Sequence, residues 1–147
     1  MKNPLIIDRG ITSLISEESF GGENYPDFVG ILNNGNHLII EIESPTKKLY
    51  TKKGCPSAKF TQAEQQVRDY LQWMYQNKDY LNRRKLPKIT PENTKGLLII
   101  GLRSNMSEKE QQKLSQQNYS VRGTHEIKTF DDIFNENLQT IESIRKV

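Results

Sequence analysis

The apolar run from Gly96 to Leu102 is the segment that most constrains the fold. It reads Gly-Leu-Leu-Ile-Ile-Gly-Leu, which is typical of a strand that is covered on both faces. The longest helical pattern comes before it, with apolar residues at helical spacing from Phe60 to about Leu81. A helix between two strands of one sheet is a crossover connection. We therefore predict an α/β fold, in which a mixed β-sheet carries helices on both faces.

A β-hairpin is predicted upstream of the long helix. Its strands are Phe28 to Leu32 and His37 to Glu43, and the turn from Asn33 to Asn36 contains the Asn-Gly pair that such turns favour. A loop from Pro45 to Pro56 follows the hairpin. The remaining segments are predicted as an extended or helical start, a polar helix, a short strand and a last helix: residues 1–20, Ser107 to about Gln117, within Ser120 to Lys128, and from Thr129 to Ile144.

The composition limits the class of protein. A length of 147 residues fits one domain. No apolar run approaches the roughly 20 residues of a membrane helix, and Asp8 and Arg9 interrupt the apolar start, which argues against a signal peptide. The single cysteine, Cys55, excludes an intramolecular disulfide. We expect a cytoplasmic protein. We also expect no functional role for His37 and His125, because the sequence shows no partners for them.

Three carboxylates fall on or beside the predicted hairpin. Asp27 precedes the first strand, and Glu41 and Glu43 lie on the second. Because side chains alternate along a strand, Glu41 and Glu43 project to the same side. Carboxylates that leave water are destabilising unless a cation neutralises them, and oxygen ligands suit magnesium or manganese. The pattern fits either a metal site or an edge strand whose glutamates face water.

A run of lysines without any acidic residue follows the paired glutamates, between Ser44 and Phe60. Such runs are typical of solvated loops. This one also lies where a phosphate backbone would approach a metal site, so we predict contacts with nucleic acid that give affinity without sequence information. The lysines are Lys47, Lys48, Lys52, Lys53 and Lys59.

Several fragments recur together in one known group of proteins. They are Pro26-Asp27, Glu41-Ile42-Glu43 on the second hairpin strand and the helical segment from Gln66 to Tyr70. In this order they resemble the PD-(D/E)xK nuclease superfamily, and more specifically the nuclease domain of Shedu antiphage defence proteins. Further fragments extend the resemblance over nearly the whole chain: Asn3 to Ile6, Leu98 to Arg103, and Ile127 to Ile133.

The resemblance implies both a fold and an activity. The expected fold is a restriction-endonuclease-like core, as a single PD-(D/E)xK-like nuclease domain over residues 1–147. The expected activity is Mg²⁺-dependent hydrolysis of phosphodiester bonds in DNA, with Mn²⁺ as a substitute cofactor, in antiphage defence. Shedu-like proteins assemble into oligomers, so the resemblance also implies a homo-oligomer.

The resemblance assigns roles to individual residues as well. Asp27, Glu41 and the main-chain carbonyl of Ile42 would bind the metal. Gln66 and Tyr70, four residues apart on one helix face, would orient the attacking water or a phosphate oxygen. Two alternatives stay open: Tyr70 packs in the core instead, or Gln62, one turn earlier, takes the place of the glutamine.

This chain departs from the family pattern at Glu43, where the family normally has lysine. Glu43 then either helps to hold the metal or accepts a proton from the water, or a lysine from elsewhere, Lys47 or Lys59, substitutes. The alternative is a catalytically silent domain that binds nucleic acid or assembles a defence complex. From the resemblance we expect either an isolated domain or a short member of the family. Three glutamates are candidates for a further acidic residue upstream: Glu17, Glu18 and Glu23.

Overall fold

The computed structural model describes residues 7, 10–16, 26–83 and 89–146. These residues form five strands, four α-helices and two short 3₁₀ turns, the latter at Pro91–Asn93 and Arg103–Asn105. The strands and helices, in chain order, are β1 (Ile11–Ser16), β2 (Phe28–Leu32), β3 (His37–Ile42), α1 (Ala58–Gln76), α2 (Lys78–Arg83), β4 (Thr94–Ile99), α3 (Glu108–Val121), β5 (His125–Lys128) and α4 (Phe130–Arg145).

The strands form one mixed sheet in the order β1-β2-β3-β4-β5. The first three strands pair antiparallel, β4 pairs parallel to β3, and β5 pairs parallel to β4. Gly35 has a φ angle of +82° in the turn between β2 and β3, which the predicted Asn-Gly turn requires. Helix α1 lies in the crossover connection between β3 and β4, which allows β4 to pair parallel to β3. The mixed sheet is confirmed.

Helices cover both faces of this sheet, as predicted. On one face, α1 and α3 bury side chains against β3, β4 and β5, and on the other face α4 packs through Ile133. Successive residues of one strand therefore face different helices: Ile39 packs on the α1 side, and Ile40 packs on the α4 side. The residues of the core on the α1 face include Val29, Ile39, Phe60, Val67, Tyr70, Met74, Leu98, Ile100 and Leu114.

Gly96 sets the distance between α1 and the sheet. A Cβ atom on Gly96 would lie 2.2 Å from Cγ1 of Val67 and 2.9 Å from Cβ of His125. Carbon atoms of buried side chains do not pack this closely. The absence of a side chain on β4 therefore allows α1 to lie against the sheet, and it positions the helix residues that face the end of β3.

The structure differs from several of the predicted boundaries. The long helix ends at Gln76, and α2 begins after Asn77, whose side-chain amide donates to the carbonyl of Trp73 at 2.9 Å. An asparagine that bonds to its own helix in this way competes with the continuing helical hydrogen bonds. The start of the chain contains β1, which the pattern left undecided, and α3 continues to Val121. In the part of the chain that the structure describes, no helix is long and apolar enough to cross a bilayer.

Asp131 ties the start of α4 to the turn that follows β4. Its carboxylate accepts hydrogen bonds from the main-chain N–H groups of Arg103 (2.7 Å) and Ser104 (2.8 Å) and from the hydroxyl of Thr129 (2.6 Å). Burial raises the pKa of Asp131, but these hydrogen bonds outweigh burial and lower the pKa to about 2. The ionised carboxylate is thus part of the junction between the two elements.

The change Asp131→Ala is expected to lower the free energy of unfolding by about 2 kcal/mol at pH 7, because it leaves two main-chain donors without their acceptor. The contribution of Asp131 should be complete above about pH 4, the ordinary pKa of an aspartate, and should be lost as the pH falls through 2. Urea denaturation from pH 2 to pH 7 measures it. Glu142→Ala, an exposed acid on the same helix, is the control, and an equal loss in both variants would contradict the prediction.

Candidate functional site

Asp27 and Glu41 lie side by side at the carboxyl end of β3. Phe28 pairs with Ile40 across the hairpin, so the residue before Phe28 adjoins the residue after Ile40. The Oδ2 atom of Asp27 accepts a hydrogen bond of 2.8 Å from the main-chain N–H of Ile42. Asp27 is exposed and Glu41 is buried, with 8% of its surface accessible. The hairpin therefore holds one carboxylate at the surface and one beneath it.

The carboxylate of Glu41 is not satisfied by its surroundings. Within the described part of the chain, its Oε2 atom is buried without a hydrogen-bond partner. Burial raises the pKa of Glu41 to about 7, and the charges of Asp27 and Glu43 act in the same direction. A hydrogen bond from the main chain of Asp27 and the charge of Lys59 oppose the rise without cancelling it. The interpretation of a strand whose two glutamates face water is therefore wrong for Glu41.

Glu43 continues the line of β3 beside β4, because its main-chain N–H donates to the carbonyl of Ile99 at 2.8 Å. Its side chain is 15% exposed, and Oε1 lies 3.2 Å from Nζ of Lys59. Lys59 belongs to the first turn of α1 and is 40% exposed at its side chain. The structure thus joins Lys59, one of the two lysines that we considered as substitutes, to the predicted site carboxylates.

Tyr70 faces the same carboxylates from the middle of α1. It is buried and packs with Val29, Ile39 and Met74, so the core contact that we considered as an alternative is present, and this contact does not exclude a role for the hydroxyl group in the site. Burial raises the pKa of Tyr70 to about 12, and the charges of Glu41 and Asp27 contribute to the rise. The phenol therefore keeps its proton at neutral pH. Gln66 is half-buried one turn earlier, whereas Gln62 is exposed, which favours Gln66 as the partner of Tyr70.

The other loop lysines lie apart from the carboxylates. Lys47, Lys48, Lys52 and Lys53 are exposed. The first three border a cavity of about 190 Å³ whose other walls include Leu102, Asn105, Met106 and Glu110. The loop itself is fixed at Ser57, whose hydroxyl donates to the carbonyl of Lys48 at 2.7 Å. Lys47, Lys48 and Lys52 therefore line one cavity together.

A buried hydrogen-bonded contact between Glu64 of α1 and His125 of β5 was not predicted. Oε1 of Glu64 lies 3.0 Å from Nε2 of His125 and accepts a hydrogen bond of 2.7 Å from Gln117. Burial raises the pKa of Glu64, but these hydrogen bonds and Arg68 lower it overall. His125 thus has a partner that the sequence did not show, and His37 is also buried. Glu64 and His125 are 61 residues apart, so no local pattern could have paired them.

The residues at the end of β3 fit a divalent cation with oxygen ligands. Among the described residues, no three acidic, histidine or cysteine side chains converge as a metal-binding group. Two carboxylates, Asp27 and Glu41, and the carbonyl of Ile42 are available, and Mg²⁺ commonly binds through one or two carboxylates while keeping several waters. The partnerless oxygen of Glu41 is the atom that such a cation would satisfy. The three upstream candidates, Glu17, Glu18 and Glu23, lie outside the described residues.

Solved structures with a similar fold include nucleases. The crystal structure of a repair endonuclease from Pyrococcus abyssi matches with 17% sequence identity and a TM-score of 0.50, covering 87% of this chain and 42% of that one. The structure of an EndoMS-dsDNA2 complex matches with 14% identity and a TM-score of 0.48, covering 87% and 39%. This chain thus spans about two fifths of the length of these proteins. The first likeness shows that the fold is restriction-endonuclease-like.

Sequence comparison identifies the family. No curated protein matches the chain. The profile of the family described as "Shedu protein SduA, C-terminal" matches residues 1–134, from the amino terminus into α4. This range contains the hairpin, the crossover helix and the whole candidate site. The chain therefore belongs to the Shedu SduA C-terminal family.

Proposed function

We propose that this chain is a metal-dependent endonuclease that hydrolyses phosphodiester bonds of DNA in cytoplasmic antiphage defence. The observation that carries the proposal is the environment of Glu41, a buried carboxylate beside a second carboxylate, Asp27, with one oxygen to which no residue that the structure describes forms a hydrogen bond. Such an arrangement destabilises the fold unless a ligand compensates for it. Membership of the Shedu family and the fold shared with a repair endonuclease support the class of reaction.

In this proposal Asp27, Glu41 and the carbonyl of Ile42 hold Mg²⁺ or Mn²⁺. When bound there, the cation would polarise the scissile phosphate and lower the pKa of a coordinated water. Tyr70, which keeps its proton, donates a hydrogen bond that, together with Gln66, orients the water or a phosphate oxygen. Glu43 belongs to the site because it lies beside Glu41 on the same side of the strand.

The substrate class follows from charge. The exposed loop lysines lie just beyond the carboxylates along the chain, and cations of this kind bind a phosphate backbone without reading its sequence. Binding should therefore weaken steeply with added salt. These residues are Lys47, Lys48, Lys52 and Lys53. The homo-oligomer implied by the resemblance stays a prediction.

The experiment is cleavage of supercoiled plasmid, linear duplex and single-stranded RNA in Mg²⁺, in Mn²⁺ and in EDTA. We expect the wild type to cut DNA only with a divalent metal. Glu41→Ala should reduce the rate by at least 10²-fold, on the order of the loss seen when a group that stabilises the transition state is removed. Glu142→Ala, which changes an exposed acid on α4, should cut at the wild-type rate.

The alternatives give other results. RNA cut in preference to DNA would correct the substrate. Wild-type protein that binds duplex but leaves every substrate intact in both metals would contradict the proposed function and favour a silent nucleic-acid-binding domain. Cutting that survives Glu41→Ala would place the metal elsewhere.

A further inference from the structure

Hydrolysis of a phosphodiester requires positive charge at the non-bridging oxygens, where negative charge builds up in the transition state. The side chains that the end of β3 offers to a phosphate are themselves acidic: Asp27, Glu41 and Glu43. A metal held by the first two compensates for part of this charge. A second cation beside the metal can stabilise the remaining charge of the transition state.

Lys59 is placed to supply that cation. Its Nζ atom lies 3.2 Å from Oε1 of Glu43, and its charge reaches Glu41, whose ionised form it favours. The side chain of Lys59 is 40% exposed and that of Glu43 is 15% exposed. Lys59 is therefore the more accessible member of the pair.

The main chain holds both partners in place before any substrate binds. The Ser57 hydroxyl caps α1 by accepting from the N–H of Phe60 at 3.1 Å, and it donates to the carbonyl of Lys48. The N–H of Ser57 also donates to the carbonyl of Leu49 at 2.7 Å, and Glu43 is fixed to β4 through Ile99. A charge that is already in position contributes most to catalysis, because it needs no reorganisation during the reaction.

We propose that Lys59 is a catalytic residue that stabilises the negative charge developing on the phosphate, and that Glu43 is the positioning residue that holds its ammonium group. The inference rests on the proposed nuclease function and deepens it. It gives Lys59 more than the role of a phosphate contact, and it assigns Glu43 to Lys59 and not to the metal or the water.

The first test separates catalysis from binding. Lys59→Met keeps most of the aliphatic side chain and removes the charge. We expect the single-turnover rate of cleavage to fall about 10²–10³-fold, while duplex affinity in EDTA changes less than about threefold, the change that losing one phosphate contact allows. Affinity for Mn²⁺, followed by electron paramagnetic resonance without DNA, should be unchanged or tighter, because a neighbouring positive charge is gone.

Lys78 and Glu92 offer a matched control. They form a lysine–glutamate ion pair, exposed by 47% and 58%, in which Glu92 precedes β4 and so lies at the opposite end of that strand from Glu43. Lys78→Met should leave the cleavage rate, duplex affinity and Mn²⁺ affinity as in the wild type. Thermal unfolding of both variants checks that the fold is kept.

The second test exchanges the charges. Lys59→Glu alone should be inactive, and adding Glu43→Lys to it should restore at least a tenth of the wild-type rate, because an ammonium group again lies beside Glu41. An exchanged pair would also restore an ion pair that only stabilised the fold, so the rescue supports catalysis only if Lys59→Glu has the thermal unfolding temperature of the wild type. A rate in Lys59→Met equal to wild type, a loss of rate matched by an equal loss of duplex affinity, or no rescue in the exchanged pair would each overturn the inference.

The failure of the proposed function looks different. In that case the wild type does not cut in any metal, and the inference falls with it. If the wild type does not cut but the variant Glu43→Lys does, the metal site is functional and Lys59 does not act in it. That result would overturn only the role of Lys59.

Discussion

Replacing Glu41 with glutamine should stabilise the metal-free protein by roughly 2–3 kcal/mol above pH 7, although it removes a proposed metal ligand. Glu41 is 8% exposed, and burial is the main reason that its pKa rises from 4.5 to about 7. Ionising this carboxylate in the folded protein is therefore harder than in the unfolded chain. The neutral amide of glutamine has nearly the same shape and avoids that free-energy penalty.

The pH range of the effect follows from the direction of the shift. Below the ordinary pKa of 4.5, Glu41 is protonated in both states and the two proteins should be equally stable. Between pH 4.5 and 7 the unfolded state loses its proton first, so the wild type loses stability relative to Glu41→Gln as the pH rises. Above pH 7 the difference is complete. Urea denaturation in EDTA across pH 4–8.5 measures it.

Adding a divalent cation should reverse the order. A ligand that binds only the folded wild type stabilises it by mass action, whereas Glu41→Gln should gain little. Glu126→Gln, an exposed acid on β5, serves as the control and should change stability by less than about 0.5 kcal/mol at every pH. A Glu41→Gln variant that is less stable than the wild type at pH 8 in EDTA would show that Glu41 is compensated by the protein itself.

The change Gly96→Ala should cost about 3 kcal/mol of unfolding free energy or more. The new methyl group would lie 2.2 Å from Cγ1 of Val67, a fully buried residue in the middle of α1. Helix and sheet must then separate, and Tyr70, one turn further along the helix, would move with the helix. Urea denaturation gives the loss, and any DNA cleavage should fall in the same variant.

The double variant Gly96→Ala with Val67→Ala tests the stated cause. Val67→Ala alone should be destabilising because it leaves a cavity, yet it also removes the overlapping atom. The double variant should therefore lose less unfolding free energy than the sum of the two single losses, by about 1–3 kcal/mol. Gly123→Ala is the matched control, since a Cβ at Gly123 meets no atom within 4 Å. Strict additivity would mean that His125, 2.9 Å from the new methyl, is the true obstacle.

Elements that depend on local chemistry were predictable from the sequence. The hairpin could be predicted because Asn34-Gly35 favours a tight turn, and strand alternation then assigns Glu41 and Glu43 to one side. The start of α3 could also be predicted, because Ser107 and Glu110 have the spacing of a capping box, which the structure contains. The break at Asn77 was not, because it depends on one side-chain rotamer that bonds to the preceding turn.

Features that depend on distant contacts could not be predicted in the same way. The burial of Glu41 follows from the docking of α1, which strand periodicity cannot describe. The sequence does not distinguish Lys59 from the other lysines of the loop. Its position beside Glu43 depends on the start of α1 at Ser57 and on the end of β3. The Glu64–His125 pair is joined only by the tertiary fold.

All the residues of the candidate site lie between Asp27 and Tyr70, whereas β4 follows them in the chain. During synthesis, the hairpin and α1 therefore leave the ribosome before the strand that completes the parallel sheet. A hairpin forms within microseconds, and until β4 pairs with β3 one edge of β3 stays open to water. A nascent chain that ends before β4 would thus carry every residue of the candidate site, but it would lack the strand against which Val67 of α1 packs. The docking of α1, and with it the burial of Glu41, depends on a strand that contributes no side chain to the site.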